Sequence, residues 1–435
     1  MAPAIFVIAL GLTLLAGTGV AAAGQYDFSI PEAEKKPYEL GGRLELRYSQ
    51  HWLNKESARA RLNYYNNDPG TYINQWRPQL ELRGGYRQGV VRFYILTHHE
   101  YNETFPEGDW LNEIYEAYAS IKPSANLTIE LGKKSFLWGK GYAWNPAGFF
   151  NRPKDPDDPQ LNLEGYTSLG MDFIKSFTGG SLSNLALTAL ALPVFDGWEN
   201  TSLGRSGDVN YAFKLYLLWH DTDLDFIYFG GPNQPESLGF DFAKNLAENF
   251  EVHGEVGYRL DVARTVLDSG GQATVSRRNQ LSCLLGIRYL NAVETTFIAE
   301  YYHNGAGYDG GEVDDFFAYQ DWAFQRWLST GDTSYMERAD AVTRPYYRQR
   351  NFGQDYFYLK ITQKEPFDIL YFSPWLAVIL NLQDQSFNLQ PGMTYTPVTN
   401  LEFNFRVGIP IGPAGTEFGE KPDSVRPEVW IRYYF

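Results

Sequence analysis

Arginine and glutamate recur at every second position in several stretches of this sequence. Over 42–49, Arg43, Glu45 and Arg47 alternate with Leu44, Leu46 and Tyr48. Over 77–87, Arg77, Gln79, Glu81 and Arg83 share one parity, while Leu80, Leu82 and Tyr86 take the other. Over 401–409 every odd position is apolar, and Glu402, Asn404 and Arg406 stand between them. A guanidinium presents a planar fork of donors that fits a carboxylate, so such a face can select anions. The same spacing also builds Arg–Glu ladders that pair across strands and stiffen a wall. Both readings stand at this level. Arg92 and Lys134 extend the set, Lys134 because it is in phase with Glu130; Arg87, Glu428 and Arg432 share its character.

Other chemistries find less to work with. The histidines at 51, 98, 99, 220, 253 and 303 are scattered, and spacing identifies no nucleophile–base pair. On a strand His98 and His99 face opposite ways and cannot share a metal. His253 is in phase with Glu251 and Glu255, which places it on a charged face. The lone Cys283 excludes an intramolecular disulfide and a cysteine zinc site, and no C-x-x-C-H is present to attach haem. Asp155, Asp157 and Asp158 offer oxygens to a hard cation, but their spacing matches no established calcium loop. A net charge of −15 argues against nucleic acid as a partner. No catalytic residue, metal or cofactor is expected, and the chain reads as a non-enzyme.

The charged positions need a scaffold with two faces. Successive strand side chains alternate. Runs of about ten residues, long enough to cross a bilayer at a tilt, follow one another from Leu40 to Phe435. There are about eighteen of them, or sixteen if two are misread. Short connections fall near 88–89, 123–126, 220–222, 246–249, 291–294, 365–368 and 397–400. Longer ones alternate with them at 51–74, 139–163, 194–207, 262–275, 304–353 and 411–424, with two further short ones near 231–235 and 384–385. The pattern predicts an all-β fold: a transmembrane antiparallel β-barrel with its long loops facing outward. A 16% aromatic content, dominated by 31 Tyr, suits membrane–water interfaces.

Two loops stand out. Over 312–329, Val313, Phe316, Phe317, Ala323, Phe324, Trp327 and Leu328 follow a helical period, and Gly331 provides a stop. This predicts one helix in the longest extracellular loop, either folded into the lumen or capping it. The loop over 138–165 combines Lys140, Arg152, Lys154 and its aspartates with prolines that preset turns, and could fold inward to narrow a pore.

The termini suggest an address. The apolar run 5–23 ends in Ala21-Ala22-Ala23 and reads as a signal peptide over 1–23, although no Lys or Arg precedes it. A periplasmic leader over 24–38 and a barrel over 39–435 follow. Val429, Ile431, Tyr433 and Phe435 share one face of the last strand, which resembles the C-terminal assembly signal of outer-membrane barrels. The expected location is the Gram-negative outer membrane, with its lipid and the barrel assembly machinery as partners.

Several local motifs, in order, are similar to those of the alginate-export family and related porin-like barrels of proteobacteria. They are Glu116-Ala117-Tyr118, Gly132-Lys133-Lys134, Trp138-Gly139-Lys140-Gly141 and Trp144-Asn145-Pro146. Further on come Glu300 to Gly305, Asp384-Gln385-Ser386 and Glu417-Phe418-Gly419. Relatives often carry Gly-Arg-Gln where this chain has Gly132-Lys133-Lys134. The resemblance implies an eighteen-stranded monomeric channel for polar or anionic material, without naming alginate as the cargo. Residues and resemblance together point to a porin-like or export channel with a charged lumen. It would pass polar solutes, with anions, saccharides and polysaccharide as the candidate classes; periplasmic or extracellular partner proteins stay open. An alternative from another class is a structural sleeve around a partner such as a multihaem cytochrome. A barrel enzyme is a third, weaker reading.

Overall fold

The computed structural model describes residues 36–103, 107–156, 158, 161–197, 199–347 and 351–435. The signal peptide over 1–23, nearly all of the leader and Asp157 lie outside the described residues.

Period-2 alternation becomes strand throughout. The strands are β1 Tyr38–Leu53, β2 Tyr72–Gln88, β3 Val91–Glu103, β4 Gly108–Ser124, β5 Leu127–Lys134 and β6 Tyr166–Ser176. Then come β7 Leu182–Pro193, β8 Val209–Trp219, β9 Thr222–Gly231, β10 Gln234–Ala247, β11 Phe250–Leu267 and β12 Ala273–Leu290. The last six are β13 Thr295–His303, β14 Asp355–Gln363, β15 Phe372–Asn381, β16 Phe387–Val398, β17 Leu401–Ile411 and β18 Asp423–Tyr434. Each pairs antiparallel with its neighbours in sequence, and β1 pairs with β18. The result is one closed sheet of eighteen strands. Closure matters in lipid, where an unpaired strand edge leaves backbone groups with no partner. The seam is fastened at its end by the Gly42 and Phe435 backbones, which exchange two hydrogen bonds of 2.8 and 3.1 Å.

Polarity is inverted relative to a soluble barrel. Leu44 and Leu46 are exposed while Arg43, Glu45 and Arg47 between them are buried. The same holds for Leu285, Val256 and Ile431 outside, and Glu255, Glu300 and Arg432 inside. Aromatic pairs mark both ends of the wall. Trp52–Tyr72 and Tyr101–Trp110 sit at the long-loop end, and Phe250–Tyr289 and Phe372–Tyr395 at the other. An apolar outer band between aromatic girdles is the membrane-facing surface of a transmembrane barrel.

Connections 89–90, 125–126, 220–221, 248–249 and 399–400 are tight turns at the end where β1 begins and β18 finishes. The opposite end carries 54–71, 135–165, 194–208, 304–354 and 412–422, with short links at 232–233 and 382–386. One long connection differs from expectation. The link expected over 262–275 shrinks to 268–272, because β11 and β12 continue as a ladder to Leu267 and Ala273.

The expected helix is present as α2, Gly310–Thr330, and Gly331 ends it with a φ of 71°. It is not alone: α1, Ala58–Tyr64, precedes it in the 54–71 loop, and α3, Ser334–Tyr347, follows it directly. The buried face of α3 is Met336, Ala339, Thr343 and Tyr346. That spacing is helical, but a small and a polar residue hold half of it, so it made no apolar stripe in the sequence. The three helices share a core of Leu62, Tyr319, Ala323, Met336 and Ala339. Ala58, Val313 and Phe316 pack with Leu267 at the tall end of β11. The helices thus rest on the long-loop end of the wall.

Candidate functional site

The interior is built on a wall of paired arginines and glutamates, an acidic wall and one loop. The first wall surrounds the seam. On β1 and β18, opposed side chains fall in register, so Glu45 stands against Arg432. Arg432 reaches both Glu45 and Glu402, the latter at 3.2 Å. Arg47 lies 2.8 Å from Glu45, Arg43 lies 2.9 Å from Glu81, and Arg406 lies 2.6 Å from Glu428. All these groups are buried. Arg47, Arg406 and Arg432 crowd around the Trp430 indole, which is itself buried.

The remaining charged positions singled out from the sequence spread outward from this cluster. Arg77 is half-buried, and its Nε has no acceptor among the described residues. Arg83 is exposed and borders a small recess shared with Arg43, Glu81, Tyr94 and Asn162. Arg92 lies near the turn end, 3.9 Å from Glu39. Lys134 pairs with Glu130 and lies over the Tyr118 ring, away from the seam. Its neighbour Lys133 binds Glu164 and Glu199 of two different loops.

The second wall is acidic. Asp225 on β9, Asp241 on β10, Glu255 on β11 and Glu300 on β13 are each at most 2% exposed. Of these, the sequence pointed to Glu255 by its phase and to Glu300 as part of a family motif, and to neither aspartate. His253 joins the wall, 2.9 Å from Glu300.

The 135–165 loop joins the two walls. Its first half is anchored twice. Trp138, Ala147 and Phe150 form an apolar core with Leu190, Leu192, Ala212, Ile227 and Phe229 of the barrel's inner face. Its backbone then turns donors toward the acidic wall. Glu255 accepts from the nitrogens of Lys140, Gly141 (2.6 Å) and Ala147 (3.2 Å), and from the Asn145 amide (2.8 Å). Glu300 accepts from the nitrogens of Tyr142 and Ala143 (2.8 Å). Lys140 lies 3.0 Å from Asp225. Glu255 and Glu300 are thus matched by peptide N–H groups and Asp225 by one ammonium, as burial of charge requires, whereas neither oxygen of Asp241 has a hydrogen-bond partner among the described residues. Trp144 stacks on Tyr302, with centroids 5.0 Å apart.

The second half of the loop crosses to the seam. Asp158 accepts from Arg432 and, at 3.2 Å, from Arg47; Asp155 lies 2.9 Å from Arg406. Asn162 donates to Glu81 at 2.6 Å. Between this half and strands β15–β18 lies a cavity of about 360 Å³, bordered by Trp144, Asp155, Asn388, Gln390, Arg406 and Arg426.

The structure also brings together a group that spacing had not identified. Ser49 Oγ lies 3.1 Å from His51 Nε2, and His51 Nδ1 lies 3.0 Å from Asp423 Oδ2. The order Ser–His–Asp is that of a hydrolase relay. Ser49, however, is 1% exposed, and the Gln75 side-chain oxygen is 3.2 Å from both Ser49 Oγ and His51 Nε2. The cavity beside Asp423 does not reach the serine. The clue in the sequence was the in-phase pair Ser49 and His51; the aspartate comes from the far end of the chain.

The motifs quoted for the family resemblance converge. Glu300 meets Tyr142 and Ala143, which link the Trp138–Gly141 and Trp144–Pro146 stretches. Asp384 accepts from the Glu417 nitrogen at 2.7 Å, and Ser386 from that of Phe418 at 3.1 Å.

Fold and polarity define the class: a transmembrane β-barrel of the outer-membrane type, with its lumen crossed by a loop. Among solved structures, the chain is similar to OpdQ of Pseudomonas aeruginosa, with a TM-score of 0.50 and 11% identity over 92% of this chain and 99% of that one. A Rhodopseudomonas blastica porin variant aligns at a TM-score of 0.44 and 10% identity, over 92% of this chain and all of that one. No protein-family model and no curated protein matches the chain. At this identity the likeness to OpdQ is one of fold.

Proposed function

We propose that the protein is a channel of the Gram-negative outer membrane that passes polar solutes through a charged lumen, with anionic solutes the favoured class. The observation that carries this reading is the seam wall. Arg406 of this wall, with Arg426, borders a cavity of about 360 Å³ that also offers the amides of Asn388 and Gln390. A pocket with a few convergent polar groups suits passage of small hydroxylated or carboxylated molecules. The ordered motifs support an alginate-export-like relative, and saccharide or polysaccharide cargo belongs to that finer reading. A sleeve around a cytochrome expects a wide lumen without inward loops; the 135–165 loop speaks against it. A hydrolase reading would rest on Ser49, whose burial leaves no room for an acyl carbonyl.

The test is recording from the purified protein in planar bilayers. Discrete conductance steps are expected, with a reversal potential in a salt gradient that favours anions. Arg43→Ala combined with Arg406→Ala should lower that preference. A protein with no conductance steps that copurifies with a cytochrome would move the assignment to the sleeve.

A further inference from the structure

Two neighbouring turns at the short-turn end of the barrel carry exposed apolar side chains on a strained backbone. One joins β12 to β13 over 291–294, the other β14 to β15 over 364–371. They lie side by side because β13 pairs with β14, with Thr295 opposite Gln363. Lys364 Nζ lies 3.1 Å from Glu294, and its backbone nitrogen donates to the Glu294 carbonyl at 3.2 Å. The Gln363 amide donates to the Val293 carbonyl at 2.8 Å. On the other side, the Thr396 nitrogen of β16 donates to the Tyr371 carbonyl at 3.2 Å. The longer turn is thus braced from both flanks.

What the brace displays is apolar. Phe367 is 90% exposed and Leu370 66%, and Val293, Ile369 and Tyr371 are exposed beside them. Ten non-glycine residues among those described have a positive φ, and five of them are Glu294, Glu365, Phe367, Asp368 and Tyr371. A left-handed Phe or Tyr is costly and persists only where its surroundings enforce it. The backbone of the longer turn is also largely self-sufficient. Pro366 has no N–H, and the nitrogens of Lys364, Glu365, Ile369, Tyr371 and Phe372 find acceptors within the two turns or on Phe372. A segment that leaves water needs this, because lipid offers no partners. The patch also continues the membrane-facing band. Tyr371 adjoins the Phe372–Tyr395 girdle pair, and the turn of Val293 follows directly on the strand that carries Tyr289 of the Phe250–Tyr289 pair.

We propose that these two turns form a lipid anchor, with Phe367, Leu370 and Tyr371 inserted among the headgroups and upper acyl chains of the leaflet at the short-turn end. Apolar side chains favour that boundary, and a tyrosine ring with its polar hydroxyl suits it. The Lys364–Glu294 pair stays at the watery edge, where both groups remain exposed. A folded partner protein would cover the same side chains, so the test uses purified protein and lipid alone.

The experiment is alkylation of single cysteines in the full chain, reconstituted in vesicles of phosphatidylethanolamine and phosphatidylglycerol. Cys283→Ser removes the native thiol. Phe367→Cys reports on the anchor. Ala125→Cys reports on the exposed 125–126 turn at the same end, so a reagent reaches both from the same side. A charged maleimide reacts with thiolate, which apolar surroundings suppress, so residue 367 should react about tenfold more slowly than residue 125. After unfolding in urea the two should react alike. A fluorescent label at 367 should be quenched by lipids carrying a nitroxide near the headgroup and shielded from aqueous iodide, and one at 125 the reverse. Heat-dependent gel mobility of the folded barrel checks each variant, and Leu370→Cys takes the place of Phe367→Cys should the latter not assemble. Equal alkylation rates in vesicles overturn the proposal. So does a label at 367 that is open to iodide and untouched by the nitroxide; those side chains then face water and fit a soluble partner instead.

Discussion

Glu255 accepts four hydrogen bonds from the loop, so deleting its carboxylate leaves buried donors without an acceptor. Each such orphan costs about 1–3 kcal/mol. Glu255→Ala should therefore loosen the loop, seen as protease cleavage within 135–165 and larger unitary conductance, with the barrel still folded. A second residue-scale prediction concerns Glu312. It accepts from Arg264 and from the Asp309 backbone in a capping box at the start of α2. The hydrogen bond from Arg264 holds its carboxyl below the ordinary glutamate value, against the opposing effect of burial. A depressed folded value contributes stability that is present above the unfolded value and lost as pH falls through the folded one. The helical cap should therefore loosen in acid, below the ordinary glutamate range, with a change in Trp322 and Trp327 fluorescence. Glu312→Gln should remove that step. Ser49 gives a third: a fluorophosphonate probe should leave it unlabelled, and labelling that Ser49→Ala abolishes would reopen the hydrolase reading.

At the scale of elements, the strands and the loops owe their placement to different kinds of information. Alternation is local, so the faces of β1, β2 and β17 could be read directly from residues such as Leu44 and Glu45. Tight turns follow from the breaks between runs. The loop across the lumen could be suspected from its charges and prolines, but its partners could not be named. Asp158 meets Arg432 and Tyr142 meets Glu300, contacts that no periodicity encodes. Nor did the acidic wall emerge, because Asp225 and Asp241 matter only once β9 and β10 stand under Lys140. The helix α3 was hidden by Ala339 and Thr343 on its buried face. Close approach of the loop to the wall gives an element-scale test. A Cβ on Gly257 would lie 2.2 Å from the Pro146 carbonyl oxygen. Gly257→Val should displace the loop and enlarge conductance without disturbing barrel closure.

At the scale of the whole molecule, one sheet closes on itself through the two ends of the chain. The Gly42–Phe435 backbone pair fastens the last step, and Phe435 projects an aromatic ring 52% exposed on the outer face. Phe435→Ala should slow assembly, seen as more heat-insensitive, unfolded material on gels, while correctly assembled protein conducts normally. The charges at this seam have a consequence for counting. A barrel closing two strands early would set β1 against β16, and β16 carries no charged residue along Phe387–Val398. Glu45 would then face amides and hydroxyls where Arg432 should stand, and would be left buried with Arg47 as its one remaining guanidinium partner. Closure at the eighteenth strand restores its second guanidinium, Arg432. The ladder along the seam thus acts as a tally, rejecting a barrel of the wrong circumference before it is complete.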